Sequence, residues 1–237
     1  MARVAAPNRV ADIVDAALTV FGRNGFSRTQ MADVAAAAGV SVGTLYNYVE
    51  GKEELLLLCA AYAFDPQAAI EGPKPLTVGS RKAFLTKLAV HVGALARIDA
   101  LEDALRAKTP PDDVVAECAR IVTEIFDLIA RVRRGMDALE RSARDVPDVA
   151  KLFYGDVRPR FLQQLTDYIE RRAKAGLIPP PIDAAVTARF AVESITWMAR
   201  HRHGDADGGE MDDDTVRSST IQLVTRAITG ETHEPTT

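Results

Sequence analysis

Along most of the chain, apolar residues return at steps of three and four, the repeat of a helix with one buried face. Between residues 9 and 22 the stripe is Val10, Ile13, Val14, Ala17, Leu18 and Phe21, and Gly22 and Gly25 mark its end. Residues 30–38 carry Met31, Val34, Ala35 and Ala38 inward. A third short helix is expected from Ser41 to about Tyr48. A fourth is expected from Gly51 through Leu55, Leu56, Leu58, Cys59 and Tyr62. The run from Asp65 to Pro75 holds Pro66, Pro73 and Pro75, so it reads as a connection rather than a helix. Helical patterns resume at 80–98, 112–143, 148–175, 182–203 and 212–229. Gly155 and Pro159 predict a kink in the 148–175 helix, and Gly176 suits its C-cap. No segment alternates as a strand does, so the fold class expected is all-α. Residues 231–237 are expected to fray.

The junction between the second and third patterns is the most specific. Small Ala35 lets one helix cross another closely. Gly39 can take the left-handed conformation that ends a helix. Ser41 is a good N-cap, and Val40 with Leu45 forms a hydrophobic staple around it. This is the geometry of a helix-turn-helix. At about 100° per residue, placing Leu45 and Val49 inward points Gly43 and Asn47 directly away, with Thr44 and Tyr46 beside them. Gly43 removes bulk where a groove could approach. Thr44 and Asn47 can exchange hydrogen bonds with base edges, and Tyr46 and Tyr48 can reach phosphates. Lys52 opens the next helix, whose free N–H groups add an anion site.

Residues 9 to about 58 closely resemble the DNA-binding domain of the TetR (tetracycline-repressor-like) family of bacterial regulators. The resemblance rests on Gly25-Phe26-Ser27-Arg28-Thr29, Asp33-Val34-Ala35, Ala38-Gly39-Val40-Ser41, Gly43-Thr44-Leu45-Tyr46 and Lys52-Glu53-Glu54-Leu55, in order and without gaps. It implies that Val42, Gly43, Thr44 and Asn47 face a major groove, and that Thr29, Tyr46, Tyr48 and Lys52 hold phosphates. The chain departs from the family pattern at three positions. Gln30, also a candidate DNA contact, replaces a small hydroxyl residue, Ala32 replaces a long polar side chain, and Val49 replaces phenylalanine. The resemblance further implies a helix-turn-helix domain at 1–54 and a larger ligand-binding and dimerisation domain at 55–237. It implies a homodimer built on the last two long helices, with Phe190, Trp197, Met198 and Leu223 as candidate interface residues. A ligand pocket would draw on Phe84, His91, Phe126, Phe153, Tyr154, Phe161 and Tyr168. Sparse charge on those stripes points to an apolar or amphipathic effector.

Composition narrows the picture without changing it. The formal charge is −4, yet residues 1–52 hold five basic against four acidic side chains, so the N-terminal part is the less acidic. Cys59 and Cys118 lie in apolar stripes and read as buried thiols of a reducing, cytoplasmic compartment. No run reaches the about 18 uncharged apolar residues of a membrane span. The loop 201–214 is rich in His and Asp but fails the calcium-loop pattern, and reads as a solvated loop. No nucleophile elbow, P-loop or dinucleotide glycine pattern occurs, so no catalytic residue, metal or cofactor is expected. The sequence reading is therefore a DNA-binding repressor, released from a double-stranded, pseudo-palindromic operator by a small molecule. A helical ligand-binding protein whose helix-turn-helix no longer serves DNA is the alternative.

Overall fold

The computed structural model describes residues 9–230; the expectation for 231–237 lies outside the described residues. Twelve α-helices, and no strand, occur among the described residues. They are α1 (Arg9–Arg28), α2 (Met31–Ala37), α3 (Val42–Tyr46), α4 (Lys52–Phe64), α5 (Pro66–Glu71), α6 (Arg81–Leu95), α7 (Asp99–Arg106), α8 (Val114–Ala143), α9 (Pro147–Ala150), α10 (Arg158–Lys174), α11 (Ala184–Ala199) and α12 (Asp213–Thr229). The all-α class is as the periodicity predicts.

The chain divides into two compact units. The first comprises residues up to Leu95 together with Arg134–Val157; the second comprises Ala96–Arg133 and Arg158 onward. In the first unit, Ile13, Ala17 and Phe21 of α1, Val34 and Ala35 of α2, and Leu45 of α3 are almost wholly buried. So are Leu55 and Leu58 of α4 and Phe84 and Leu88 of α6. The end of α8 lies against α1, where Arg134 donates to the carboxylate and carbonyl of Asp15 and to the Thr19 hydroxyl. Gly25 breaks the regular course of α1 with φ 75°. A Cβ there would lie 2.7 Å from Asp145 Oδ2, so both the conformation and the space require glycine.

In the second unit, Leu101, Ile121, Ile125, Leu165, Ile169, Ala188, Ala191 and Ile195 form the core. An ion pair is buried within it. Arg172 Nε donates to Glu117 Oε2 at 2.7 Å and Nη2 to Glu117 Oε1 at 2.8 Å, with the Ala104 carbonyl as a further acceptor at 3.1 Å. The hydrogen bonds to the guanidinium satisfy a charge that would otherwise be costly to bury.

Three helix assignments need correction. The proline-rich connection contains α5, because Pro66 sits at the first helical position, where no N–H is needed. Helix α7 was not anticipated, since its eight residues carry four charges and two buried side chains, Leu101 and Ala104. The pattern at 148–175 is not one helix. A π-helical turn, Lys151–Val157, separates α9 from α10, at the place where Gly155 and Pro159 predict a kink. Proline supplies no N–H to the carbonyl four residues back and collides with it, and a wider turn relieves both problems.

Candidate DNA-reading site

The turn between α2 and α3 is built as its sequence dictates. Gly39 is left-handed with φ 64°. The Val40 N–H reaches back to the Ala35 carbonyl at 2.9 Å, closing the end of α2. Ser41 caps α3, its Oγ accepting the Thr44 N–H at 3.0 Å and sharing a 2.8 Å hydrogen bond with the Thr44 hydroxyl. Leu45 and Val49 are fully buried and plug the helix into the unit. A five-residue helix has little stability of its own, so these plugs and the cap hold it.

What remains outward is a compact face. Val42 is 38% exposed and Tyr46 46%, and Gly43 and Asn47 are also exposed. Thr44 is half-buried and committed to Ser41. Helix α3 is shorter than expected, so Asn47 is its C-cap residue and Tyr48, half-buried, lies beyond it. Gln30 is exposed just before α2, where its N–H donates to Asp33 Oδ2 at 3.1 Å.

Two candidate phosphate contacts are used differently from the expectation. Thr29 is 1% exposed and its hydroxyl donates to the Gly25 carbonyl at 2.7 Å, so the side chain shapes the α1–α2 turn and presents no hydroxyl outward. Lys52 Nζ donates to the Phe26 and Ser27 carbonyls at 3.0 and 3.1 Å and lies 5.1 Å from the centre of the Phe26 ring. Two of its three donors thus tie the start of α4 to the end of α1, leaving one for an anion.

The remaining candidates fall in both units. Phe84, His91, Phe153 and Tyr154 belong to the first unit; Phe126, Phe161 and Tyr168 belong to the second. Phe84, Phe126, Phe153 and Tyr168 are buried, His91 and Phe161 half-buried, and Tyr154 exposed. His91 stands 6.0 Å from the Phe64 ring, centre to centre. Burial lowers its pKa and leaves Nδ1 without a hydrogen-bond partner. In the second unit, Phe190 (59% exposed) and Leu223 (61%) are open, Trp197 is exposed and Met198 half-buried. Ile182 and Val186, which were not among the candidate interface residues, extend this apolar face. They also border a recess of 460 Å³ lined by Pro179–Pro181, Ala227 and Ile228. The loop 201–214 is organised around buried Arg202, which donates to the Met198 and Met211 carbonyls at 2.8 and 3.1 Å and to Asp213. Among the described residues no group of three His, Cys, Asp or Glu is placed to hold a metal ion, and no helix is long and apolar enough to cross a membrane.

Residues 13–59 match the model described as bacterial regulatory proteins, tetR family. The chain is also similar to the HTH-type transcriptional repressor KstR of Mycolicibacterium smegmatis, with 27% identity over 164 residues, covering 56% of this chain and 80% of that protein. Residues 13–59 thus carry a DNA-binding domain of the TetR-family type. The Bacillus subtilis fatty acid metabolism regulator protein shares 42% identity over 45 residues, 19% of this chain and 23% of that one. Among solved structures of the same fold is AibR, in complex with isovaleryl coenzyme A and operator DNA. Its TM-score is 0.55 at 16% identity, covering 91% of this chain and 97% of that one. The exposed face of α3 lies within the matched residues 13–59, and these relatives are transcriptional regulators rather than enzymes.

Proposed function

We propose that this chain is a homodimeric, cytoplasmic repressor that a small amphipathic molecule releases from its operator. The observation that carries the reading is the outward set Val42, Gly43, Tyr46 and Asn47, on a helix whose every other feature serves to hold it rigid. Asn47 reads a base edge. Val42 and Gly43 admit the groove wall, and Tyr46, Tyr48 and the free N–H of Lys52 meet phosphates. Residues 1–54 act as the reader and 55–237 as the sensor and dimer-former. Two copies paired through α11 and α12 place two recognition helices about one helical turn, roughly 34–36 Å, apart on a pseudo-palindrome. Effector binding displaces α4 and spoils that spacing, which requires different effector affinities in the two states.

The effector class follows the relatives. A fatty acid regulator and a protein solved with isovaleryl coenzyme A both point to an acyl group on a polar carrier. Sparse charge on the apolar stripe of α6 that carries Phe84, Leu88 and Val92 suits the acyl part.

Selection of duplexes from a random DNA pool by the full chain tests the reading. A pseudo-palindrome should emerge. Asn47→Ala should relax one base position per half-site by about 1–3 kcal/mol. Isovaleryl coenzyme A, used as the first acyl probe, should release the selected duplex. Enrichment of no sequence would sink the DNA reading. Release by no acyl coenzyme A of any chain length would sink the effector class alone.

A further inference from the structure

Backbone groups at the exit of a recognition helix need partners, because the last carbonyls of a helix have none inside it. Here the partners come from far along the chain. The Leu76 N–H donates to the Tyr48 carbonyl at 2.7 Å, and the Glu50 N–H donates to the Leu76 carbonyl at 3.3 Å. Together they form an isolated parallel bridge between Val49 and Leu76, within the first unit. The side chain of Val49 is fully buried, so the bridge sits on a fixed point.

The segment that follows leaves little slack. Val78 is buried, Gly79 turns with φ 69°, and Ser80 opens α6 by accepting the Ala83 N–H on its hydroxyl at 3.2 Å and the Phe84 N–H on its carbonyl at 2.9 Å. Arg81, in the first turn of α6, donates to Glu53 of α4 at 2.6 Å and to Asp148 of α9 at 3.0 and 3.1 Å. Six residues, 76–81, therefore connect the exit of α3 to a node joining the first turns of α4, α6 and α9.

We propose that residues 76–81 form a strap that positions α3 for DNA and carries displacement of α6 to it directly, in parallel with α4. The proposal rests on the DNA-reading role of α3. A hydrogen bond of 2.7 Å tolerates little displacement. When α6 shifts, the Tyr48 and Glu50 groups lose their partners, and α3 loses the support that fixes its angle. Leu76 and Arg81 are positioning residues here, since neither reaches DNA.

The test uses the full chain and the duplex the wild type selects. Leu76→Pro removes the N–H that binds Tyr48, whereas Leu76→Ala keeps both backbone bonds. Leu76→Pro should weaken binding at least tenfold, and Leu76→Ala less than threefold, at all sequences alike. Hydrogen exchange of the Glu50 amide supplies a readout without DNA. It should be protected in the wild type and exchange at least tenfold faster in Arg81→Gln, whose fold circular dichroism checks. Wild-type affinity in a folded Leu76→Pro chain overturns the proposal. Equal losses in both Leu76 variants overturn it too, and so does a Glu50 amide indifferent to Arg81→Gln. If Leu76→Pro does not fold, the exchange result decides. If the wild type selects no duplex, the DNA reading falls, while the exchange measurement still judges the strap.

Discussion

The exposed face of α3 and the exposed face of α11 and α12 are both open to solvent, but their chemistry differs. Helix α3 shows a glycine, an asparagine, a tyrosine and one valine. Helices α11 and α12, with the residues leading into α11, show Ile182, Val186, Phe190, Trp197 and Leu223. Large apolar side chains gathered on one side mark a surface meant for another protein surface. A small polar set with a missing Cβ marks a surface meant for close approach and hydrogen bonding. Exposure alone separates neither from solvent-facing helix. The type and size of the exposed residues do.

The largest expected effect lies on the apolar face. In a two-fold pair every substitution occurs twice. Burying a Leu or Phe contributes about 1.5–3 kcal/mol, so Phe190→Asp with Leu223→Asp should weaken self-association by about 6 kcal/mol or more. Sedimentation velocity should show a dimer becoming a monomer, while the circular dichroism of the chain stays as in the wild type. A wild type that sediments as a monomer at micromolar concentration would remove the reason for separating the two faces.

A second prediction asks whether the units bearing these faces open separately. Burial pushes the thiols of Cys59, in the first unit, and Cys118, in the second, up to about 12. Neither is a thiolate at pH 8, and each should react with a thiol reagent only when its own surroundings open. Glu117→Ala leaves Arg172 buried without its counter-ion, which costs about 3–5 kcal/mol. Labelling of Cys118 should then accelerate by about a hundredfold or more, with Cys59 lagging at least tenfold behind. Equal acceleration at both cysteines, read by mass spectrometry of the labelled peptides, would show one cooperative unit. The raised thiol pKa values also give a pH sign. The folded state retains protons that unfolded thiols release above about pH 9. Stability on this account is full below that pH and is lost as pH rises toward 12.

How far each region could be read from the sequence depends on the range of the interactions that build it. The helix-turn-helix was legible because its signals are local. Gly39 takes its left-handed turn, Ser41 caps, and Leu45 plugs, all within seven residues. The place of the Thr29 hydroxyl was not legible, because a threonine at a turn looks the same whether its hydroxyl faces solvent or the Gly25 carbonyl. The Leu76 strap was invisible. It pairs backbone groups 26 and 28 residues apart and leaves no side-chain period to find. On α11 the apolar residues run together in the sequence, and only the resemblance sets Phe190 and Trp197 apart as interface candidates. The structure shows two apolar faces, with Ile195 fully buried and Val186, Phe190 and Trp197 outward. A helix that is apolar on both sides reads as one broad stripe until its neighbours are known.

The smallest effect gives the cleanest contrast, because it applies the same chemistry to both faces. Ser41 caps α3 by accepting the Thr44 N–H, and Asp183 caps α11 by accepting the Val186 N–H at 2.9 Å. Removing either cap costs about 1 kcal/mol. In Ser41→Ala that loss falls on a five-residue helix, so the first turn, with Val42 and Gly43, should fray. Affinity for the selected duplex should drop about fivefold, with dimerisation untouched. In Asp183→Ala the loss falls on a sixteen-residue helix beside Ile182 and Val186. Dimerisation should weaken by a similar factor, and a protein held fully dimeric by concentration should bind DNA as the wild type does. Each variant should therefore move one readout and leave the other, because a cap acts within one helical turn of itself. If both readouts moved together in either variant, the two faces would be coupled through the fold, and their separate chemistry would no longer define separate functions.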